Sequence, residues 1–181
     1  AASELARRFR REATALANLD HLHLIGQQWP TPSPDCQLMT NGCSSMGFAI
    51  PAAIAAKLCW PEREVCCVVG DGGYAMMAGE MATAARLGRR IVFVVLHDGY
   101  LSLIRLKQEI KGHSRYGTLL SSAAVHHQAT GAMFGVPVIE ARDADQYQQA
   151  LQAAFTADGP VIIEAYIDGQ EYDELVLKGN R

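Results

Sequence analysis

Two acids stand at matching places in this chain. Asp71 lies in Val68-Val69-Gly70-Asp71-Gly72-Gly73-Tyr74, where an apolar run stops at a carboxylate set between glycines. Asp98 lies 27 positions later, in His97-Asp98-Gly99-Tyr100, after a second apolar run. Glycines beside a carboxylate let backbone amides approach a ligand closely. A helix beginning there aims its first amides at the same spot, which favours phosphate. A phosphate next to two carboxylates is repelled unless a cation intervenes. Mg2+ fits, because it takes oxygens from one or two carboxylates and from substrate phosphates. The residues therefore point to a magnesium-bridged phosphate ester. An Asp-Gly after a strand is also an ordinary turn, and the second acidic turn brings the metal reading level with that one. A nicotinamide site is the weaker alternative, since Gly70-Asp71-Gly72-Gly73-Tyr74-Ala75 lacks the last glycine of G-x-G-x-x-G.

The surrounding pattern says which elements carry these acids. Residues 64–69 and 90–96 are short apolar runs rich in β-branched residues, and read as strands. Residues 136–141 and 160–167 read the same way. Between them lie helical stretches at 75–88, 100–110, 126–135 and 143–158. Gly88 and Gly135 close two of them, and Asp143 or Asp145 opens the last. Residues 46–60 form an apolar helix with Pro51 in or near its first turn. Residues 3–17 read as a polar, charged helix, and 27–36, with three prolines, as loop. Strands apolar on both faces and alternating with helices predict an α/β fold. It is doubly wound, with a mainly parallel sheet and helices on both faces. Ligands bind such sheets beyond the carboxyl ends of the strands, where both acids emerge.

The 181 residues suit one domain over 1–181, with a partly linker-like segment at 1–30. Apolar residues make up 49 % and charged residues 19 %, as in globular chains. A net charge of -3 gives no broad basic field for nucleic acid. No apolar stretch is long enough to span a membrane, and the charged N-terminus has no signal-peptide core. The expectation is a cytoplasmic protein with reduced thiols. Its five cysteines include no C-x-x-C pair, which argues against zinc.

Residues 70–100 resemble the cofactor motif of thiamine-diphosphate enzymes, and 41–74 are similar to the matching segment of acetolactate synthases and related 2-oxo-acid decarboxylases. The resemblance runs over roughly residues 20–168. It implies thiamine diphosphate and Mg2+ as cofactors. Asp71, Asp98 and the main-chain oxygen of Tyr100 would hold the metal. Backbone amides of Gly72, Gly73, Leu101 and Ser102 would hold the diphosphate. Met46 would bend the cofactor between its two rings, with the Ser44 carbonyl accepting from the pyrimidine amino group, although a Met opening an apolar helix is ordinary core in most proteins. His23 falls where some relatives place a histidine near the diphosphate. Two departures stand out: His97 and Asp98 replace the usual pair of asparagines, and His97 is expected to have a structural role.

In that family the pyrimidine half of the cofactor is held by a second domain, which supplies a glutamate. No segment here reads as that domain. The chain is therefore expected to be a fragment or subunit of a larger enzyme acting on a 2-oxo acid. It would be inactive alone and would pack against a pyrimidine-binding domain or a second copy of itself. The alternative is a non-catalytic module that binds thiamine diphosphate or another phosphate ligand. Residues 107–118 read as a solvated loop, or as a lid over the substrate. His113, His126 and His127 read as ordinary surface or helix residues.

Overall fold

The computed structural model describes residues 13–17, 36–40, 43–120 and 127–169. In chain order they form β1 (Ala13–Ala17), β2 (Gln37–Met39), α1 (Ala49–Cys59), β3 (Val65–Gly70) and α2 (Asp71–Met77). A 3-10 turn (Ala78–Glu80) leads to α3 (Met81–Leu87), β4 (Val92–His97) and α4 (Ser102–Ile110). Then follow α5 (His127–Phe134), β5 (Val138–Ala141), α6 (Ala144–Ala154) and β6 (Val161–Tyr166). The six strands form one sheet in the order β2-β1-β3-β4-β6-β5, and every pairing is parallel.

The central strands are apolar throughout because helices cover both faces. On one face Val65, Cys67, Val69, Phe93, Val95 and Ile162 pack against Ile50 and Ala53 of α1, Tyr74 of α2, and Met81 and Ala84 of α3. On the other, Cys66, Val68, Val92, Val94 and Ile163 pack against Ala150, Leu151 and Ala154 of α6. The doubly wound parallel architecture expected from the alternation of elements is the one observed.

Local chemistry sets the element ends. Pro51 occupies the first turn of α1, where its missing N–H costs nothing. Gly88 ends α3 at φ +57°, in the left-handed region. Asp143, not Asp145, caps α6: its carboxylate accepts from the Gln146 amide at 2.8 Å, while the Gln146 side chain accepts from the Arg142 amide at 3.0 Å. This reciprocal pairing satisfies donors that a helix start leaves open.

Two expectations need correction. Residues 13–17, read as the end of a charged helix and within a linker-like segment, are a strand of the sheet. β1 pairs with β2 on one side and with β3 on the other. Helix propensity in Ala13-Thr14-Ala15-Leu16-Ala17 is overridden by two ladders of backbone bonds, a tertiary effect that local composition does not carry. The helix expected over 75–88 begins earlier, at Asp71, and is broken by the 3-10 turn at Ala78–Glu80. The short strand β2 directly follows the proline-rich stretch and was not anticipated.

Burial sorts the cysteines. Cys36, Cys66 and Cys67 are buried, Cys43 and Cys59 are exposed, and none is bridged. Burial pushes the Cys66 thiol up to about 12, and Cys67 rises through burial and then the neighbouring Cys66. The thiolate is the reactive form. Iodoacetamide at about pH 8, close to the ordinary thiol pKa, is therefore expected to label Cys43 and Cys59 in the folded chain. Cys36, Cys66 and Cys67 should react only after denaturant is added. Peptide mass spectrometry checks this, and labelling of Cys66 or Cys67 in the native state would contradict the packing.

Candidate functional site

The β3–β4 register pairs Gly70 with Leu96. The residues just beyond, Asp71 and His97-Asp98, therefore leave the sheet side by side at the same rim. Asp71 is 3 % exposed although it is an acid. Its Oδ1 accepts from the Gly72 amide at 2.7 Å, and its Oδ2 accepts from the Gly99 amide at 2.8 Å. The second bond ties the start of α2 to the loop after β4. Burial holds the Asp71 carboxyl above the usual carboxylate range. The Gly99 amide opposes that shift, the Asp98 charge adds to it, and the Gly72 amide and His97 oppose it. The two carboxylates are thus close enough to repel through a low-dielectric rim, which is the electrostatic setting that a divalent cation relieves.

Asp98 is held by the start of α4. Its Oδ1 accepts from the Tyr100 amide at 3.0 Å, and its Oδ2 accepts from the Ser102 hydroxyl. Gly99 sits at φ +76°, the left-handed turn that brings its amide back to Asp71. The chain after β6 passes over the same place: a Cβ on Gly169 would stand 3.0 Å from Asp98 Oδ2.

Gly72 marks the floor of the site. A Cβ there would meet Leu101 Cδ2 at 2.7 Å, Met46 Cε at 3.2 Å and Leu120 Cδ1 at 3.4 Å. Met46 and Leu101, separate in sequence, thus converge on the first turn of α2, which carries Asp71. Ser44 lies at φ +46°, a backbone state uncommon for a residue with a Cβ, and its hydroxyl donates to the Thr40 carbonyl at 3.4 Å. Gly73 is buried in the first turn of α2.

Some backbone donors are already engaged. The Gly72 amide serves Asp71, and the Leu101 amide donates to the Thr118 carbonyl at 2.8 Å. Leu101 would have to give up that bond to reach a diphosphate. The Leu120 amide in turn donates to the Gly99 carbonyl at 2.8 Å, and Tyr100 bridges Leu119. Residues 117–120 therefore fold back along the loop after β4. The stretch before them is pinned to α4: the Gln108 side chain bonds both the amide and the carbonyl of Tyr116, and Glu109 pairs with Arg115 at 2.6 Å. His23 and His126 lie outside the described residues, and His113 is exposed.

His97 lies against β6. Its Nδ1 stands 2.9 Å from Glu164 Oε1, and its ring stacks on Tyr166 with centroids 4.9 Å apart. The Glu164 carboxyl beside it raises the imidazole above its usual range, more than burial lowers it. Leu120, Thr118 and Glu164 were not anticipated as neighbours of the site. Their only sequence signals were the Leu119-Leu120 pair in a polar loop and an acid inside an apolar strand.

The donor set suits a hard cation that shares its shell with a ligand. Among the described residues no group of three or more His, Cys, Asp and Glu gathers that could hold a metal unaided. Two carboxylates, a main-chain oxygen and phosphate oxygens make the shell Mg2+ prefers. The residues present fit a magnesium-bound diphosphate. No helix among the described residues is long and apolar enough to cross a membrane.

Comparison with known proteins agrees with this geometry. Residues 21–165 match the family described as thiamine pyrophosphate enzyme, C-terminal TPP binding domain. The chain belongs to that family. It is 31 % identical over 148 residues to an acetolactate synthase of Bacillus subtilis, covering 82 % of this chain and 26 % of that protein. It is 28 % identical over 151 residues to the acetolactate synthase isozyme 1 large subunit of Escherichia coli, covering 83 % of this chain and 27 % of that one. An acetolactate synthase of Arthrospira platensis is 27 % identical over 145 residues, with coverages of 80 % and 25 %. The chain spans about a quarter of the length of each of these relatives. It is a thiamine-diphosphate-binding domain of the acetolactate-synthase type.

Proposed function

We propose that this domain holds thiamine diphosphate through Mg2+, and does so as part of an acetolactate-synthase-like enzyme that decarboxylates a 2-oxo acid and passes the remaining acyl unit onward. The observation that carries the reading is the buried Asp71 carboxylate, clamped by the Gly99 amide beside Asp98 at one rim of the sheet. Asp71, Asp98 and the Tyr100 carbonyl would hold the ion. The first-turn backbone of α2 at Gly73 and the start of α4 at Ser102 would face the diphosphate. Met46, against Gly72, would support the bend between the cofactor's rings, and the Ser44 carbonyl would orient its amino group. When bound, thiamine diphosphate supplies the electron sink for decarboxylation. The protein's part is to bind, orient and exclude water.

Turnover is proposed only for an assembly in which a pyrimidine-binding domain or a second copy covers the rim. Tyr100, Ile104 and Leu119, in the segments after β4, expose apolar surface that such a partner could cover.

Calorimetric titration of thiamine diphosphate, with Mg2+ and then with chelator, tests the reading. Because no cluster among the described residues holds the metal unaided, each ligand should bind weakly alone and tightly with the other. Equal affinity for the cofactor in chelator would overturn the metal bridge. If a purified pyrimidine-binding domain is then added, decarboxylation of pyruvate should appear only in the mixture.

A further inference from the structure

Glu164 is an acid in the middle of an apolar strand. It lies on β6 between Ile163 and Ala165 and is 4 % exposed. A carboxylate so placed destabilises the fold unless it is hydrogen-bonded. The register pairs Val95 with Glu164 and His97 with Tyr166. Val95 and Ile162 belong to one core cluster, so alternation along both strands puts His97, Glu164 and Tyr166 on that same face. There His97 Nδ1 and Glu164 Oε1 stand 2.9 Å apart, within hydrogen-bonding distance, and the imidazole lies over the Tyr166 ring. The His97 carbonyl also accepts from the Ile167 amide at 3.0 Å. The last residue of β4 is thus tied to β6 by side chain and main chain together. The next residue is Asp98, and the one after it is Gly99, whose amide clamps Asp71.

We infer that Glu164 is a positioning residue for the cation site: through His97 it sets where the 98–100 loop leaves the sheet, and so the placement of the Asp98 carboxylate and the Gly99 amide against Asp71. This rests on the reading of Asp71 and Asp98 as a Mg2+ pair. A role confined to satisfying a buried charge would support the whole fold evenly. A positioning role acts on one loop, and groups that orient metal-binding side chains typically change metal affinity by about 10–100-fold.

The two roles separate in an experiment on the full chain with four substitutions. Glu164→Leu removes the acceptor. His97→Phe keeps the ring over Tyr166 and removes the donor, and it serves if the Leu variant does not fold. Glu164→Gln keeps a carbonyl that can still accept from His97. Asp71→Ala is the control for the metal reading itself. Amide hydrogen exchange by NMR, without ligand, compares Gly99 with Val94 in the centre of β4. Calorimetry then measures Mg2+ affinity at saturating thiamine diphosphate. In Glu164→Leu or His97→Phe, Gly99 should exchange about tenfold faster with Val94 unchanged, and Mg2+ should bind about tenfold more weakly. Glu164→Gln should stay within about threefold of the parent on both measures. Unchanged Gly99 exchange, a parallel rise at Gly99 and Val94, or unchanged Mg2+ affinity would each overturn the role of Glu164. If the parent binds no Mg2+, or if Asp71→Ala binds it equally well, the metal reading fails and this inference fails with it.

Discussion

Asp71→Ala should abolish magnesium-dependent binding of thiamine diphosphate while leaving a folded chain. On the proposed reading the substitution removes one of two carboxylates from the Mg2+ shell, and among the described residues no group of three acids, histidines or cysteines gathers to replace it. It also frees the Gly72 and Gly99 amides that the carboxylate accepts from. Losing a direct ligand should exceed the effect of losing a supporting group, so affinity in Mg2+ should fall by about 100-fold or more. The same titration in chelator should show no difference between parent and variant. Asp71→Asn separates charge from shape, since its amide oxygen still accepts one of the two bonds. The folded Asp71 carboxyl titrates above its unfolded value because it is buried. Its contribution to stability is therefore fully present below the unfolded pKa and is lost as pH rises through the folded one. Thermal midpoints of the ligand-free parent should record that loss, and Asp71→Asn should lack it. Binding of the Ala variant at parental strength in Mg2+ would remove Asp71 from the site.

Gly131→Ala should destabilise the fold by about 2 kcal/mol, although alanine is the better helix former by about 1 kcal/mol. Gly131 lies in α5, where a Cβ would overlap Val138 Cγ2 and stand 2.5 Å from the Val136 carbonyl oxygen. The first contact could be relieved by a side-chain rotation. The second is backbone and cannot swing aside, because the Val136 amide is bonded to the Gly131 carbonyl at 2.8 Å and the chain then enters β5. Overpacking of this kind costs about 1–3 kcal/mol, and a backbone obstacle belongs at the upper end. For a domain of this size the thermal midpoint should fall by about 4–8 °C. Gly79→Ala, with nothing within 4 Å of the added carbon, is the matched control and should stay within about 0.5 kcal/mol. Equal midpoints for the two variants would mean that α5 does not pack on β5 as described.

The strands β3, β4, β5 and β6 were legible because their apolar runs are bounded by glycine, proline and acid. So were the ends of α3 and α6, where Gly88 and Asp143 carry the capping chemistry in their own side-chain types. The rim that holds Asp71 and Asp98 followed from one rule about parallel sheets, applied to two adjacent acidic turns. β1 was not legible. Ala13–Ala17 has no strong local preference, and its extended state depends on β2 and β3 lying on either side of it. Nor was the division of the helix after Asp71, although Gly79, a poor helix former, stands in the 3-10 turn that divides it.

Residue types along the chain settle what kind of chemistry is on offer: two carboxylates among glycines, and no basic field or paired cysteines. Those are local properties, written in neighbouring positions. Which groups meet is a different matter. The Gly99 amide on Asp71, the Leu101 and Met46 side chains over Gly72, and the Glu164 carboxylate on His97 join residues from separate strands and loops. They come together only because ladder register aligns the ends of β3, β4 and β6, and a register is a property of pairs of strands that no single stretch of sequence contains.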